Sequence, residues 1–204
     1  MGVRRIFKRG KFCFNAHLIL ALVFSLPLLV VAISGALLSY ADEISEGLNR
    51  KNLTLNLARG VSDPPKISEI LNRFGEKNRD FSFKILLVRN GLNLAADVYD
   101  ANFDAFLIDP YTGEMIGADA GDKFEKILVN LHVNLALGLI NGELATLGEN
   151  VVLLATLALF LLALSGIWLY FPFFRRNARL FIGKNLYKLH GSLGIYASAV
   201  LVLV

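Results

Sequence analysis

Apolar and polar positions in this chain are gathered into long blocks. Residues 16–41 contain no Asp, Glu, Lys or Arg, and neither do residues 151–174. A helix rises about 1.5 Å per residue and the hydrocarbon core of a bilayer is about 30 Å thick, so about 20 apolar residues cross it. Both blocks are long enough. A third run, 189–204, makes a helix of only about 24 Å. It has no closing charge, and a free carboxylate at Val204 would be costly in hydrocarbon. It reads as a third membrane helix cut short. A cleaved signal peptide is the rival reading of the first block, but the apolar part of such a signal runs about 7–15 residues.

Between the two blocks the periods shorten. Pro64 and Pro65 stop whatever precedes them, and 48–58 alternates poorly, as a linker and the start of a strand. Ile67, Ile70, Leu71 and Phe74 recur at three and four and predict a helix over 66–76. Strands are expected over 81–89, 92–99, 103–108 and 115–118. Gly91 makes one turn, and Asp109-Pro110-Tyr111-Thr112-Gly113 another. From Lys123 a helical stripe returns through Phe124, Ile127, Leu128, Leu131, Leu135 and Leu139. A helix followed by an antiparallel meander is an α+β unit.

Charge then orients the chain. Arg4, Arg5, Lys8, Arg9 and Lys11 precede the first block, and Arg175, Arg176, Arg179, Lys184 and Lys188 follow the second. All 17 acidic residues lie between Asp42 and Glu149. The positive-inside rule places both basic segments in the cytoplasm and 42–149 outside. The fold class expected is a membrane α-helical bundle, two complete transmembrane helices plus the start of a third, with an inserted extracytoplasmic α+β domain. Its segments are a basic N-terminus (1–15), helix one (16–41), the α+β domain (42–122), an outer amphipathic segment (123–149), helix two (150–174), a basic cytoplasmic loop (175–188) and the start of helix three (189–204).

Composition agrees, since 55% of residues are hydrophobic and 19% charged, too apolar a balance for an ordinary soluble domain. The basic pI near 9.2 follows from membrane topology, and the partner it implies is the lipid bilayer, with no nucleic acid. Cys13 is the single cysteine, which excludes a disulfide framework and a thiolate metal site. The acids of the α+β domain are scattered over turns and strand ends, where charge is usually solvation. That domain carries no catalytic constellation.

The candidate chemistry lies with three histidines, each at a membrane boundary: His17 at the start of helix one, His190 at the start of helix three, and His132 on the outer amphipathic segment. Neutral imidazole ligates metals and haem iron, and ionisable groups at membrane depth are functional candidates. A lone histidine at a helix end also serves simply to bond headgroups or water. Ser34-Gly35 and Ser165-Gly166 sharpen the pattern. Counting along the helices pairs His132 with Gly35 in one layer, and His17 and His190 with Gly166 in the other. A missing side chain admits a flat macrocycle or a neighbouring helix; small-residue helix packing explains the same glycines.

These segments resemble a known family. His17-Leu18 through Ser34-Gly35-Ala36-Leu37-Leu38 and Asp42-Glu43 look like the first helix of PepSY-associated transmembrane proteins. Ile108-Asp109-Pro110-Tyr111-Thr112-Gly113-Glu114 resembles the turn of a PepSY domain, and Leu131-His132 with Leu135 and Gly138 the outer histidine segment. Ser165-Gly166-Ile167-Trp168-Leu169 through Pro172 looks like the second helix, and Tyr187-Lys188-Leu189-His190 with Gly194 the start of the third. The resemblance spans nearly the whole chain. It implies a bacterial inner-membrane protein of iron uptake, with His17, His132 and His190 as axial ligands of haem b, one haem or two. Metal would be bound through haem iron only, and electrons would pass to a ferric siderophore or other iron chelate. By charge alone Arg175 and Arg176 suit haem propionates, but anchoring under the positive-inside rule is the commoner role of such residues. The alternative function is a non-catalytic, membrane-anchored PepSY domain that binds or regulates an envelope peptidase or other protein partner.

Overall fold

The structure is a computed structural model. It describes the backbone of residues 2–57, 63–176 and 186–203, and the side chains of 10–57, 63–170, 186 and 189–201. Ala58, the end of the expected 48–58 linker, with residues 59–62, residues 177–185 of the expected basic loop, and the side chains of Arg175, Arg176 and Lys188 lie outside the described residues. The elements run α1 (Gly2–Leu38), α2 (Ala41–Leu53), α3 (Ile67–Lys77), β1 (Phe83–Leu87), β2 (Ala96–Asp100), β3 (Ala105–Ile108), β4 (Met115–Ala118), α4 (Ala120–Asn134), a 3-10 turn (Leu137–Leu139), α5 (Gly142–Arg176) and α6 (Leu186–Leu203). The chain divides into two compact units, one of Met1–Ser34 with Asn130–Val204, the other Gly35–Val129.

The first unit is helical. Among the described residues two helical stretches are long and apolar enough to cross a membrane, Gly10–Leu38 and Gly142–Tyr170, each of 29 residues, about 43 Å of helix. Only 6% and 17% of their most apolar windows are buried within the chain. A core helix of a soluble protein would be mostly buried. Leu22 and Leu26 on α1, and Leu153 and Leu157 on α5, stay more than half exposed, as lipid-facing side chains do. Pro27 lies inside α1 without ending it, which a membrane helix tolerates better than a soluble one. α6 contributes a shorter apolar stretch, Leu189–Leu201.

The second unit is the α+β insert, an antiparallel sheet in the order β1-β2-β3-β4. Ile70 and Phe74 of α3 lie in one buried cluster with Ala96, Val98 and Ile108, and Phe81, Phe83, Leu86, Phe106 and Met115 pack around it. Phe74 meets Phe81 and Phe83 edge to face at 5.7 and 5.5 Å between centroids, a favoured aromatic geometry. The 109–113 turn takes its conformation from Asp109, whose Oδ1 accepts the Tyr111 N–H at 2.7 Å as an Asx turn does. Gly113 sits at φ 73°, and a Cβ there would stand 2.5 Å from the backbone carbon of Arg73. Only glycine meets both demands.

The expected helix at 66–76 and the four strands are present, with β1 and β3 shorter than expected, β4 as expected, and β2 displaced to 96–100 from 92–99. The region 48–58 differs. Leu48 to Leu53 close α2, and only Thr54 pairs, in a single bridge with Leu94. α2 buries Asn49, and Gly121 of α4 lies so close that a Cβ would overlap the backbone of Ser45. A helix whose inner face is polar gives no apolar period to read. α4 begins at Ala120, three residues before the expected Lys123, because Asp119 caps it: Asp119 Oδ1 accepts the Asp122 N–H at 2.9 Å. α5 begins at Gly142, ahead of the expected 150, with Asn141 Oδ1 accepting the Leu144 N–H at 2.8 Å.

The acids of the insert are also less uniformly solvated than expected. Asp97 and Asp119 are buried, at 5% and 4% exposure. Arg89 Nη1 donates to Asp97 at 2.8 Å, its Nη2 stands 3.8 Å from Asp119, and Asn49 Nδ2 donates to Asp119 at 2.6 Å. Burial pushes the Asp97 carboxyl up to about 6, against the opposing pull of the Arg89 guanidinium.

Candidate site at the membrane histidines

All three histidines fall in the helical unit. His17, near the beginning of the α1 span, turns its Nδ1 to Ser165 Oγ of α5 at 2.8 Å. The Ser165 hydroxyl has one proton, and the carbonyl of Leu161, one helical turn back at 2.7 Å, takes it. With the Ser165 proton on that carbonyl, the Ser165 oxygen is left to accept from His17, an arrangement that calls for the His17 proton on Nδ1. Its Nε2 keeps a lone pair and has no hydrogen-bond partner among the described residues. His190, in the first turns of α6, is exposed and makes no side-chain hydrogen bond to a described residue. Its ring centroid stands 6.4 Å from that of His17, with the ring planes 74° apart.

Gly166 belongs to this group of residues, but more loosely than expected. A Cβ on it would lie 3.6 Å from His17 Cε1, ordinary van der Waals contact. The tight glycine is Gly191. The Tyr170 ring lies against its backbone, where a Cβ would fall 2.2 Å from Tyr170 Cε2. Close approach of α5 and α6 thus depends on a glycine next to His190, which neither length nor periodicity singles out.

His132 lies in the last turn of α4. Its Nδ1 stands 3.0 Å from the Val31 carbonyl of α1 and 3.3 Å from Ser34 Oγ. A carbonyl only accepts, so His132 also carries its proton on Nδ1 and leaves Nε2 unbonded among the described residues. Ser34, 2% exposed, spends its own proton on the Val30 carbonyl at 2.8 Å. The neighbour of His132 is thus Ser34. Gly35, expected beside it, is the next residue of α1, and its carbonyl accepts the Ser39 N–H at 3.1 Å. Directly beyond His132 the chain takes two left-handed residues, Leu135 (φ 57°) and Ala136 (φ 63°). Asn134 holds that turn, its Oδ1 accepting the Gly138 N–H at 3.1 Å. From His17 to Val31 is fourteen residues of α1, about 21 Å. The helical unit therefore presents two imidazoles at one level and one at another.

The donor set is narrow. Among the described residues no group of three or more His, Cys, Asp or Glu side chains could hold a metal ion. A metal already held in a macrocycle would need only axial ligands from the protein, a role open to imidazole. Two imidazoles on opposite faces of one ion, with metal–nitrogen bonds of about 2 Å, have centroids about 6 Å apart. His17 and His190 stand near that separation, and the Nε2 of His17 has no hydrogen-bond partner among the described residues. His132 offers one such nitrogen and has no second histidine at its level.

No curated protein matches the chain. Residues 14–204 match the family described as PepSY-associated TM region, which takes in all three histidines, both apolar spans and the α+β insert. This chain is a membrane protein belonging to that PepSY-associated family.

Proposed function

We propose that the chain is a haem-binding electron carrier of the bacterial inner membrane whose terminal acceptor is a ferric chelate, such as siderophore-bound iron. The observation that carries this reading is the His17–His190 pair: two imidazoles from different helices, 6.4 Å apart, one with its Nδ1 turned to Ser165 Oγ and its Nε2 without a partner among the described residues. His17 and His190 would hold one haem b, and His132 would give one ligand to a second. Bound there, haem supplies reversible one-electron chemistry without covalent attachment. The chain's own part is to keep the ligating nitrogens deprotonated, to fix the rings, and to surround them with apolar helix that excludes water. By the positive-inside rule the basic flanks assign the His17–His190 level to the cytoplasmic face and the His132 level to the outer face, so a cytoplasmic donor would feed an acceptor outside.

The test is optical. The full chain, purified from cells supplied with haem, should give b-type bands in reduced-minus-oxidised spectra, and His17→Ala should remove those of one centre. A colourless protein ends the reading.

One observation favours the alternative of a non-catalytic anchored domain. β1 is an edge strand whose Ile85 and Leu87 are 40% and 50% exposed, a surface that can pair with another chain. An envelope peptidase or other partner bound there would tolerate loss of all three histidines. A reductase would not.

A further inference from the structure

We propose that Ser165 is a positioning residue that fixes His17 in the Nδ1–H tautomer, whereas His132 is fixed in the same tautomer by the backbone carbonyl of Val31, with Ser34 auxiliary. The serines of the two Ser-Gly pairs thus look alike in sequence and differ in importance.

The geometry separates the two cases. Within the described residues His17 Nδ1 has one partner, Ser165 Oγ at 2.8 Å. Leu161 and Leu162 oxygens at 2.7 and 3.2 Å compete for the Ser165 proton, which favours the Ser165 oxygen as acceptor toward His17. Remove the hydroxyl and nothing described holds the His17 proton on Nδ1. A free histidine side chain favours the proton on Nε2, the nitrogen that must be bare to bind a metal. His132 has a second and better anchor, because the Val31 carbonyl at 3.0 Å can only accept, while Ser34 Oγ is farther, at 3.3 Å. A carbonyl at Val31 is free to take this extra bond because an oxygen carries two lone pairs. Such outer partners set which ring nitrogen ligates and raise its basicity.

This inference uses the haem reading only for its purpose, since the tautomers belong to the chain itself. The experiment is nitrogen NMR on the full chain in lipid nanodiscs, made without added haem, with ¹⁵N-histidine and resonances assigned by His17→Gln and His132→Gln. Wild type should show both rings protonated at Nδ1 and bare at Nε2. Ser165→Ala should shift His17 toward the Nε2–H form and leave His132 unchanged, which also reports that the helices still assemble. Ser165→Thr should restore the wild-type pattern. Ser34→Ala should leave His132 as it was. The inference is overturned by an Nε2–H His17 in wild type, by an unchanged His17 in Ser165→Ala, or by a His132 that switches in Ser34→Ala. With haem supplied, Ser165→Ala should weaken binding at the His17 centre about 10–100-fold and move its reduction potential to more positive values. A chain that shows the tautomers and takes up no haem refutes the electron-carrier reading alone.

Discussion

In the insert, Asn49, Asp97 and Asp119 are buried, and each is engaged with a side chain of the same unit, Arg89 at the centre. In the helical unit, His17 and His132 each give one ring nitrogen to an internal partner and keep the other uncommitted. Among the described residues no buried side-chain nitrogen or oxygen lacks a partner. A closed polar network fixes shape and has no valence left for a ligand. An imidazole held by one nitrogen has valence to spare. On the proposed reading the membrane helices carry the ligand-binding nitrogens, and the closed network of the insert fixes its shape.

The comparison can be broken most sharply at His17. On the proposed reading, His17→Ala should eliminate the haem component assigned to His17 and His190 from the difference spectrum, with hydrogen exchange in β2 and β3 unaltered. Phe74→Ala should do the reverse. Removing a fully buried ring costs about 3–5 kcal/mol, so exchange of the β2 and β3 amides should accelerate while the haem bands persist. If Phe74→Ala abolished the bands, the two units would not be chemically separate. Gly113→Ala comes next. A left-handed non-glycine residue costs about 1–3 kcal/mol, and the methyl would strike the α3 backbone, so the insert should become protease-sensitive.

The smallest effect is a pH dependence at Asp97. Its carboxyl sits near 6 in the fold against an ordinary value of 3.8. Between those values the folded state binds more protons than the unfolded one, so the stability contributed by this group falls as pH rises from about 4 to about 6. Acidification from pH 7 to pH 5 should therefore favour wild type relative to Asp97→Asn, measured as exchange protection of β2. A difference independent of pH would place the Asp97 carboxyl at its ordinary value.

Much of this was legible from residue pattern. Uninterrupted apolar blocks mark α1 and α5 because lipid demands apolar side chains on every face. Ile70 and Phe74 mark α3 because a soluble helix on a sheet needs only one apolar face. The turn at 109–113 is explicit in Asp109, Pro110 and Gly113. The illegible parts share one cause, polar groups buried against other polar groups. α2 hides because its inward residue is Asn49. Asp97 looks like a strand acid facing water, yet both its strand neighbours, Ala96 and Val98, are buried too. Ser165 and Ser34 stand beside conspicuous glycines, and nothing local shows that an imidazole more than ninety residues away uses them. Beside the His17–His190 pair the closer approach is at Gly191 and not at Gly166, because that space depends on where Tyr170 of another helix lies.

Coordination of one iron by His17 and His190 is tested most directly by electron paramagnetic resonance of the oxidised full chain in lipid. The account predicts a low-spin ferric signal of bis-imidazole type that disappears in both His17→Ala and His190→Ala. A signal that survives either substitution, or a chain with no ferric haem signal at all, would contradict it.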